Sequence, residues 1–285
     1  MDLIADTNVW YWISDGRRDP VVLKTGGNRL IAHPISILEI VSEIDSANYA
    51  KRRAAAQALL EHADQIVEDP ESHLVRLWGL EPRALALDWR DIVLAVALST
   101  SVGEITTGVI DVATRRRLSV DLPLIKSMRV AHWTDFRDTV VDALDVHCPG
   151  YKEAREQGTR ISIDSRDETE YRKVLKSDDF KRVLATAIFN RALLAKDLPP
   201  REPTDQEYFN AARMIKCYLD AYVEYIIRCA TEFTPQPNDL GDSECFIYLQ
   251  GMGGMKLTVE CQSCRKAVSL IEGVGFAQTQ LGVLK

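Results

Sequence analysis

The sequence predicts an α/β fold whose mostly parallel core sheet is interrupted along the chain by a long, largely α-helical segment. Three observations predict it. An apolar run close to the amino terminus is typical of a buried parallel strand. Long helical stretches dominate after about residue 80, and the last fifty or so residues return to alternating strand and helix patterns. We therefore predict a discontinuous core at 1–82 and 236–285, with a helical insertion at 83–235.

The first part of the core alternates short strands and helices. Apolar periodicity, prolines and glycines place their limits. Strands are predicted within 2–9, 28–32 and 65–67, and helices over 9–13, from Pro34 onward and over 51–62.

The insertion and the end of the chain are assigned in the same way. Helices are predicted over 91–98, 180–194, 208–231, 242–250 and from 260, a strand over 255–259, and a loop or hinge over 145–167.

Charge and hydropathy exclude several classes of protein. The formal net charge is -7 and the isoelectric point is near 5.4, which argues against a dedicated basic nucleic-acid-binding module. A nuclease stays compatible, because carboxylates that hold cations add to the negative charge. No apolar run approaches the roughly 18 residues of a membrane span, and the first residues lack the basic region of a secretory signal. We therefore expect a cytoplasmic protein with no membrane partner.

Four acidic residues carry the strongest chemical signal, because they end predicted strands or lie on adjoining helices. They are Asp6, Glu39, Asp242 and Glu260. Carboxyl ends of parallel strands face the crevice where ligands bind. Hard divalent cations such as Mg²⁺ prefer oxygen ligands, and a bound cation can make a water nucleophilic toward a phosphodiester. The acids therefore predict one acidic, cation-binding pocket.

Three of the four acids also have a simpler interpretation as helix caps. Asp6 and Asp242 are of the type that caps the start of a helix. The four residues from Ser36 to Glu39 match the S-x-x-E capping box. Asp239 is a rival to Asp242, and Glu244 could line the same pocket. These alternatives stay open from the sequence alone.

In combination, the acidic motifs resemble those of PIN-domain nucleases. The segment Leu3-Ile-Ala-Asp6-Thr-Asn8 resembles their opening strand and D-T-N motif. Pro34-Ile-Ser-Ile-Leu-Glu39 is similar to their second motif, and Asp242 followed by Leu257-Thr-Val-Glu260 to their third and fourth. Glu260 stands where the family usually has Asp, and the middle of the chain is longer than in compact bacterial PIN toxins.

The resemblance implies a three-layer α/β/α fold and an Mg²⁺- or Mn²⁺-dependent endonuclease, usually acting on RNA. Asp6, Glu39 and Asp242 would bind the metal, with Glu260 as a fourth acid. Thr7, Asn8 and Thr258 would order the site. A cation-activated water would then attack phosphorus.

Substrate contacts and partners are assigned more loosely. Arg17 and Arg18 flank the first motif and could contact phosphate, although most charge runs are solvated helix faces. The neighbouring aromatic residues at 10–12 could stack on bases or belong to the core. The insertion could shape substrate access, form a homodimer or bind a regulatory protein. The alternative function is a PIN-like scaffold whose site has drifted and which binds nucleic acid or protein without cleaving.

Overall fold

The four described strands form one parallel sheet in the order β3-β2-β1-β4. The computed structural model describes residues 2–80, 88–107, short helical pieces between 123 and 146, 149–157, 173–223 with four single-residue gaps, 245–248 and 256–258. The strands are β1 (Asp2–Ala5), β2 (Arg29–Ala32), β3 (Gln65–Ile66) and β4 (Lys256–Thr258). The predicted strands are confirmed at all four places.

Helices make up most of the described chain and accompany the small parallel sheet. The fold is therefore of the α/β class. The first helices are α1 (Thr7–Ser14), α2 (Pro20–Leu23), α3 (Pro34–Val41), α4 (Tyr49–His62), α5 (Pro70–Leu77), α6 (Trp89–Leu98) and α7 (Val102–Thr107). They are followed by α8 (Tyr151–Glu156), α9 (Asp178–Leu194), α10 (Asp205–Met214) and a 3₁₀ helix (Cys245–Tyr248). Within this described part, no helix is long and apolar enough to cross a bilayer.

Alternate residues along the strands enter two separate hydrophobic clusters, because successive side chains of a strand point to opposite faces. Leu3 and Ala5 pack with residues of α1, α3, α4 and α6. Ile4 packs instead with residues of α5, α9, α10 and the 3₁₀ helix. Helices of the predicted insertion therefore contribute to both clusters. The division into core and insertion itself stays a prediction.

The predicted hinge and the start of the helix predicted at 208–231 differ from the structure, and α2 and α5 were not predicted. The predicted hinge at 145–167 contains the helix Tyr151–Glu156. The helix predicted from residue 208 begins at Asp205, because Thr204 and Glu207 form a capping box at its start. The part of the hinge at 158–167 lies outside the described residues, as does most of the predicted helix at 242–250.

Candidate active site

Asp6 lies at the point where β1 ends and α1 begins. Its Oδ1 atom accepts a hydrogen bond from the backbone N–H of Thr7 at 2.7 Å, so Asp6 is the N-cap of α1. The side-chain amide of Asn8 donates to Oδ2 at 3.3 Å. The capping interpretation of Asp6 is thus confirmed. A carboxylate offers about four lone-pair sites, so these contacts are compatible with binding a cation through the same group.

Glu39 is the exposed position of an otherwise buried helix. The seven other residues of α3 are buried, while Glu39 faces outward. Its Oε2 atom accepts a short hydrogen bond from the hydroxyl of Thr7. Thr7 thus contacts both acids, with its backbone N–H on Asp6 and its side chain on Glu39. The structure therefore brings the first two predicted acids to one residue at the carboxyl end of β1.

The capping-box interpretation of Glu39 is wrong. The N-cap of α3 is His33, whose Nδ1 accepts from the backbone N–H of Ser36 at 3.4 Å, and Pro34 occupies the first turn. Ser36 lies inside the helix, where its hydroxyl donates to the His33 carbonyl oxygen at 2.9 Å. Because Ser36 does not cap the helix, Glu39 does not occupy the capping-box position.

Three further predicted site residues come from the end of the chain. Thr258 is the last residue of β4, where its backbone pairs in register with Ala5, the residue before Asp6. The parallel pairing places the ends of β1 and β4 at the same edge of the sheet. Asp242 and Glu260, with their rivals Asp239 and Glu244, lie outside the described residues, and the structure describes no side chain at Thr258.

Two residues beside Glu39, Arg52 and Tyr11, were not predicted to act on the acids, although Tyr11 was considered for stacking on bases. The Arg52 guanidinium donates through Nη1 to the carbonyl oxygens of Glu39, Ile40 (3.4 Å) and Ser42 (2.6 Å), which holds the end of α3. Burial raises the pKa of Tyr11; the Arg52 charge opposes this shift and the Glu39 carboxylate adds to it. Helical spacing places Tyr11 one turn after Thr7, but no local pattern links Arg52 to Glu39.

The aromatic residues of α1 divide between the core and the surface. Trp10 is fully buried in the same cluster as the strand residues Leu3 and Ala5, so it cannot stack on a base. Trp12 is partly exposed, and the guanidinium carbons of Arg17 and Arg18 lie 5.8 Å and 5.6 Å from a ring centroid of its side chain. The two predicted phosphate contacts are therefore beside an aromatic ring on the same helix that Asp6 caps.

The described residues provide two carboxylates for a cation, Asp6 and Glu39. No group of three or more His, Cys, Asp or Glu side chains suited to a metal occurs among the residues that the structure describes. Mg²⁺ is usually held by one or two carboxylates together with waters and substrate phosphate oxygens. The two carboxylates that contact Thr7 are oxygen donors of the kind that Mg²⁺ takes together with water and phosphate oxygens.

Comparisons of the chain with family models, with curated proteins and with solved structures found no significant match.

Proposed function

We propose that this protein is a PIN-type, Mg²⁺- or Mn²⁺-dependent endoribonuclease with a three-layer α/β/α core. The observation that supports the proposal most is the pair of contacts made by Thr7. Its backbone N–H donates to Asp6 and its hydroxyl donates to Glu39, so a carboxylate at the end of β1 and one from α3 share one neighbour. Such a pair, at the carboxyl edge of a parallel sheet, is suited to binding a cation and a phosphate.

In this mechanism, Asp6 and Glu39 would hold the cation, with Asp242 and Glu260 as the further acids. A bound divalent cation lowers the pKa of a coordinated water and neutralises charge on the scissile phosphate. Asn8 orients Asp6 through its amide, and Thr7 orients Glu39 through its hydroxyl. Neighbours that orient ligands in this way commonly contribute about 10–100-fold in metal affinity or activity. Arg52 holds the end of the helix on which Glu39 lies.

The substitution Asp6→Asn tests the proposal. Asn caps helices about as well as Asp, so α1 is expected to keep its start while the cation loses a negatively charged ligand. We expect Mn²⁺-dependent cleavage of single-stranded RNA to disappear with an unchanged circular dichroism spectrum. Asp88→Asn is the matched control, because Asp88 caps α6 through the N–H groups of Arg90 and Asp91. Wild-type cleavage by Asp6→Asn contradicts the mechanism.

A scaffold that binds nucleic acid without cleaving it is the second candidate. The observation in its favour is the cationic and aromatic surface formed by Trp12, Arg17 and Arg18, which is suited to binding whether or not the acids act on the substrate. Calorimetric titration with Mn²⁺ separates the two functions. The nuclease is expected to bind Mn²⁺ in a manner that depends on Asp6, whereas the scaffold binds RNA with no Mn²⁺ binding.

A further inference from the structure

Two partly exposed aromatic rings of α1 are accompanied by three cations. Lys51 Nζ, from the start of α4, lies 4.6 Å from the ring centroid of Tyr11. Arg17 and Arg18, from the turn after α1, lie beside Trp12. We call these five residues the α1 surface. Significant cation–π contacts occur about once per 70–80 residues, so three of them on two consecutive rings mark a concentrated patch.

The charge of this patch is opposite to that of the chain. The molecule has a formal net charge of -7, yet the α1 surface carries three cations, with the carboxylate of Asp15 beside Arg17 and that of Glu39 near Tyr11. Asp15 forms an ion pair with Arg17 at 2.5 Å. Lys51 is exposed, and Arg18 is partly exposed. A local excess of positive charge on an acidic protein attracts polyanions to that place on the surface.

The α1 surface begins directly beside the candidate active site. Tyr11 lies four residues after Thr7, which donates to Glu39. Trp12 lies four residues after Asn8, which donates to Asp6. Positions four apart lie on the same helix face, about 6 Å apart along the axis. The two rings therefore lie one helical turn from the residues that contact the acids, within reach of an extended ligand bound there.

We propose that the α1 surface binds the bases and phosphates of a single-stranded nucleic acid next to the cleavage site. Aromatic rings with accompanying Arg and Lys are the combination that holds unpaired bases and the backbone in proteins that bind single strands. A double helix is a poorer ligand, because its bases are already stacked on one another. The proposal rests on the proposed function in one respect, namely that the nucleic acid extends from the cleavage site onto α1. It adds the residues that bind this nucleic acid. Binding itself requires neither metal nor cleavage.

The test is fluorescence anisotropy with labelled oligouridylate and oligothymidylate in EDTA, so that no cleavage occurs. We expect Trp12→Leu to weaken binding of both strands about fivefold or more, since stacking contributes about 1–3 kcal/mol per base. Trp12→Phe is expected to retain most of the affinity because it keeps a ring. Lys51→Gln is expected to reduce the salt dependence between about 50 and about 200 mM by about 0.7 in the logarithmic slope for each phosphate that the variant no longer neutralises.

The matched control is Arg182→Gln, which removes a cation 4.9 Å from the ring centroid of Tyr208. It has the same chemistry on α9 and α10, and we expect unchanged binding. Circular dichroism checks the fold of each variant.

The α1 surface is excluded if the wild-type protein binds neither strand. It is also excluded if the Trp12→Leu and Lys51→Gln variants bind both strands as the wild type does. Competition by polyglutamate as strong as that by the oligonucleotides would identify an acidic peptide as the ligand and exclude the proposal as well. Measuring Mn²⁺-dependent cleavage beside binding shows which of the two proposals, the α1 surface or the nuclease function, has failed. Strand binding through Trp12 without cleavage contradicts the nuclease alone. Cleavage that survives with unaltered binding in both variants contradicts the α1 surface alone.

Discussion

The hydroxyl of Thr7 donates a hydrogen bond to the carboxylate of Glu39, which lies thirty-two residues further along the chain. Thr7 is buried and Glu39 is exposed, so the hydroxyl points from the core toward an outward-facing acid. The same residue donates its backbone N–H to Asp6. One residue at the start of α1 thus contacts both acids.

Thr7→Val tests whether that hydroxyl orients Glu39. Valine has nearly the same shape but cannot donate, so Glu39 loses a partner and becomes less well oriented. We expect Mn²⁺ affinity and cleavage to fall about 10–100-fold, as measured by calorimetric titration and by RNA cleavage. Thr7→Ser is the control, because it keeps the hydroxyl and should retain most of both. Equal Mn²⁺ affinity in the valine variant and the wild type would mean that the hydrogen bond has no orienting role.

Arg52→Met removes the guanidinium that binds three carbonyl oxygens at the end of α3 and keeps an apolar stem. The last carbonyl groups of a helix have no partner inside the helix, so removing Arg52 from them costs stability. We expect the free energy of unfolding in urea to fall by about 1–2 kcal/mol. Arg90→Met, at an exposed position of α6, should change it by less than about 0.5 kcal/mol. Similar values for both variants would contradict this assignment of Arg52.

Glu207 predicts a pH dependence of stability. The Arg201 side chain, which donates to both of its oxygens at 2.9 and 2.6 Å, lowers the pKa of Glu207 to about 2, against burial and with help from Thr204. Because the folded-state pKa lies below the ordinary value of 4.5, the contribution is fully present above that value. It is lost as the pH falls from 4.5 toward about 2.

Glu207→Gln is therefore expected to make the unfolding free energy less dependent on pH in this window, as measured by urea unfolding at a series of pH values. Glu202→Gln, at a nearby exposed position, should keep the wild-type profile. A Glu207→Gln profile as steep as that of the wild type would show that the ion pair does not contribute.

Tyr248 connects the 3₁₀ helix to the segment before α5. Its ring is fully buried, and its hydroxyl donates to the Glu68 carbonyl oxygen at 2.8 Å. Tyr248→Phe leaves that oxygen without this donor and should lower the unfolding free energy by about 1 kcal/mol. The control is Tyr208→Phe, since the contact of the Tyr208 ring with Arg182 does not use the hydroxyl. A Tyr248 variant as stable as the control variant would exclude a stabilising role for this bond.

Capping shows where sequence reasoning succeeds and where it fails. Thr204 and Glu207 form a capping box, and Ser36 and Glu39 have the same spacing without forming one. Pro34 explains the difference, because its fixed φ and missing N–H suit the first position of a helix. The helix therefore begins before Ser36, and Glu39 lies too far along it to reach back to the start. A four-residue pattern is informative only when the helix start is known.

The sequence by itself determined the local structure of the core. Apolar runs and turn residues placed all four described strands and predicted a mostly parallel sheet, because burial on both faces of a sheet leaves a pattern within a few residues. It also singled out Asp6 and Glu39. Only the tertiary structure decided that these two acids meet at Thr7 and that Arg52 holds the end of α3. Contacts between distant residues depend on how strands pair and on the face of a helix or sheet toward which each side chain points. A short stretch of sequence does not determine either of these.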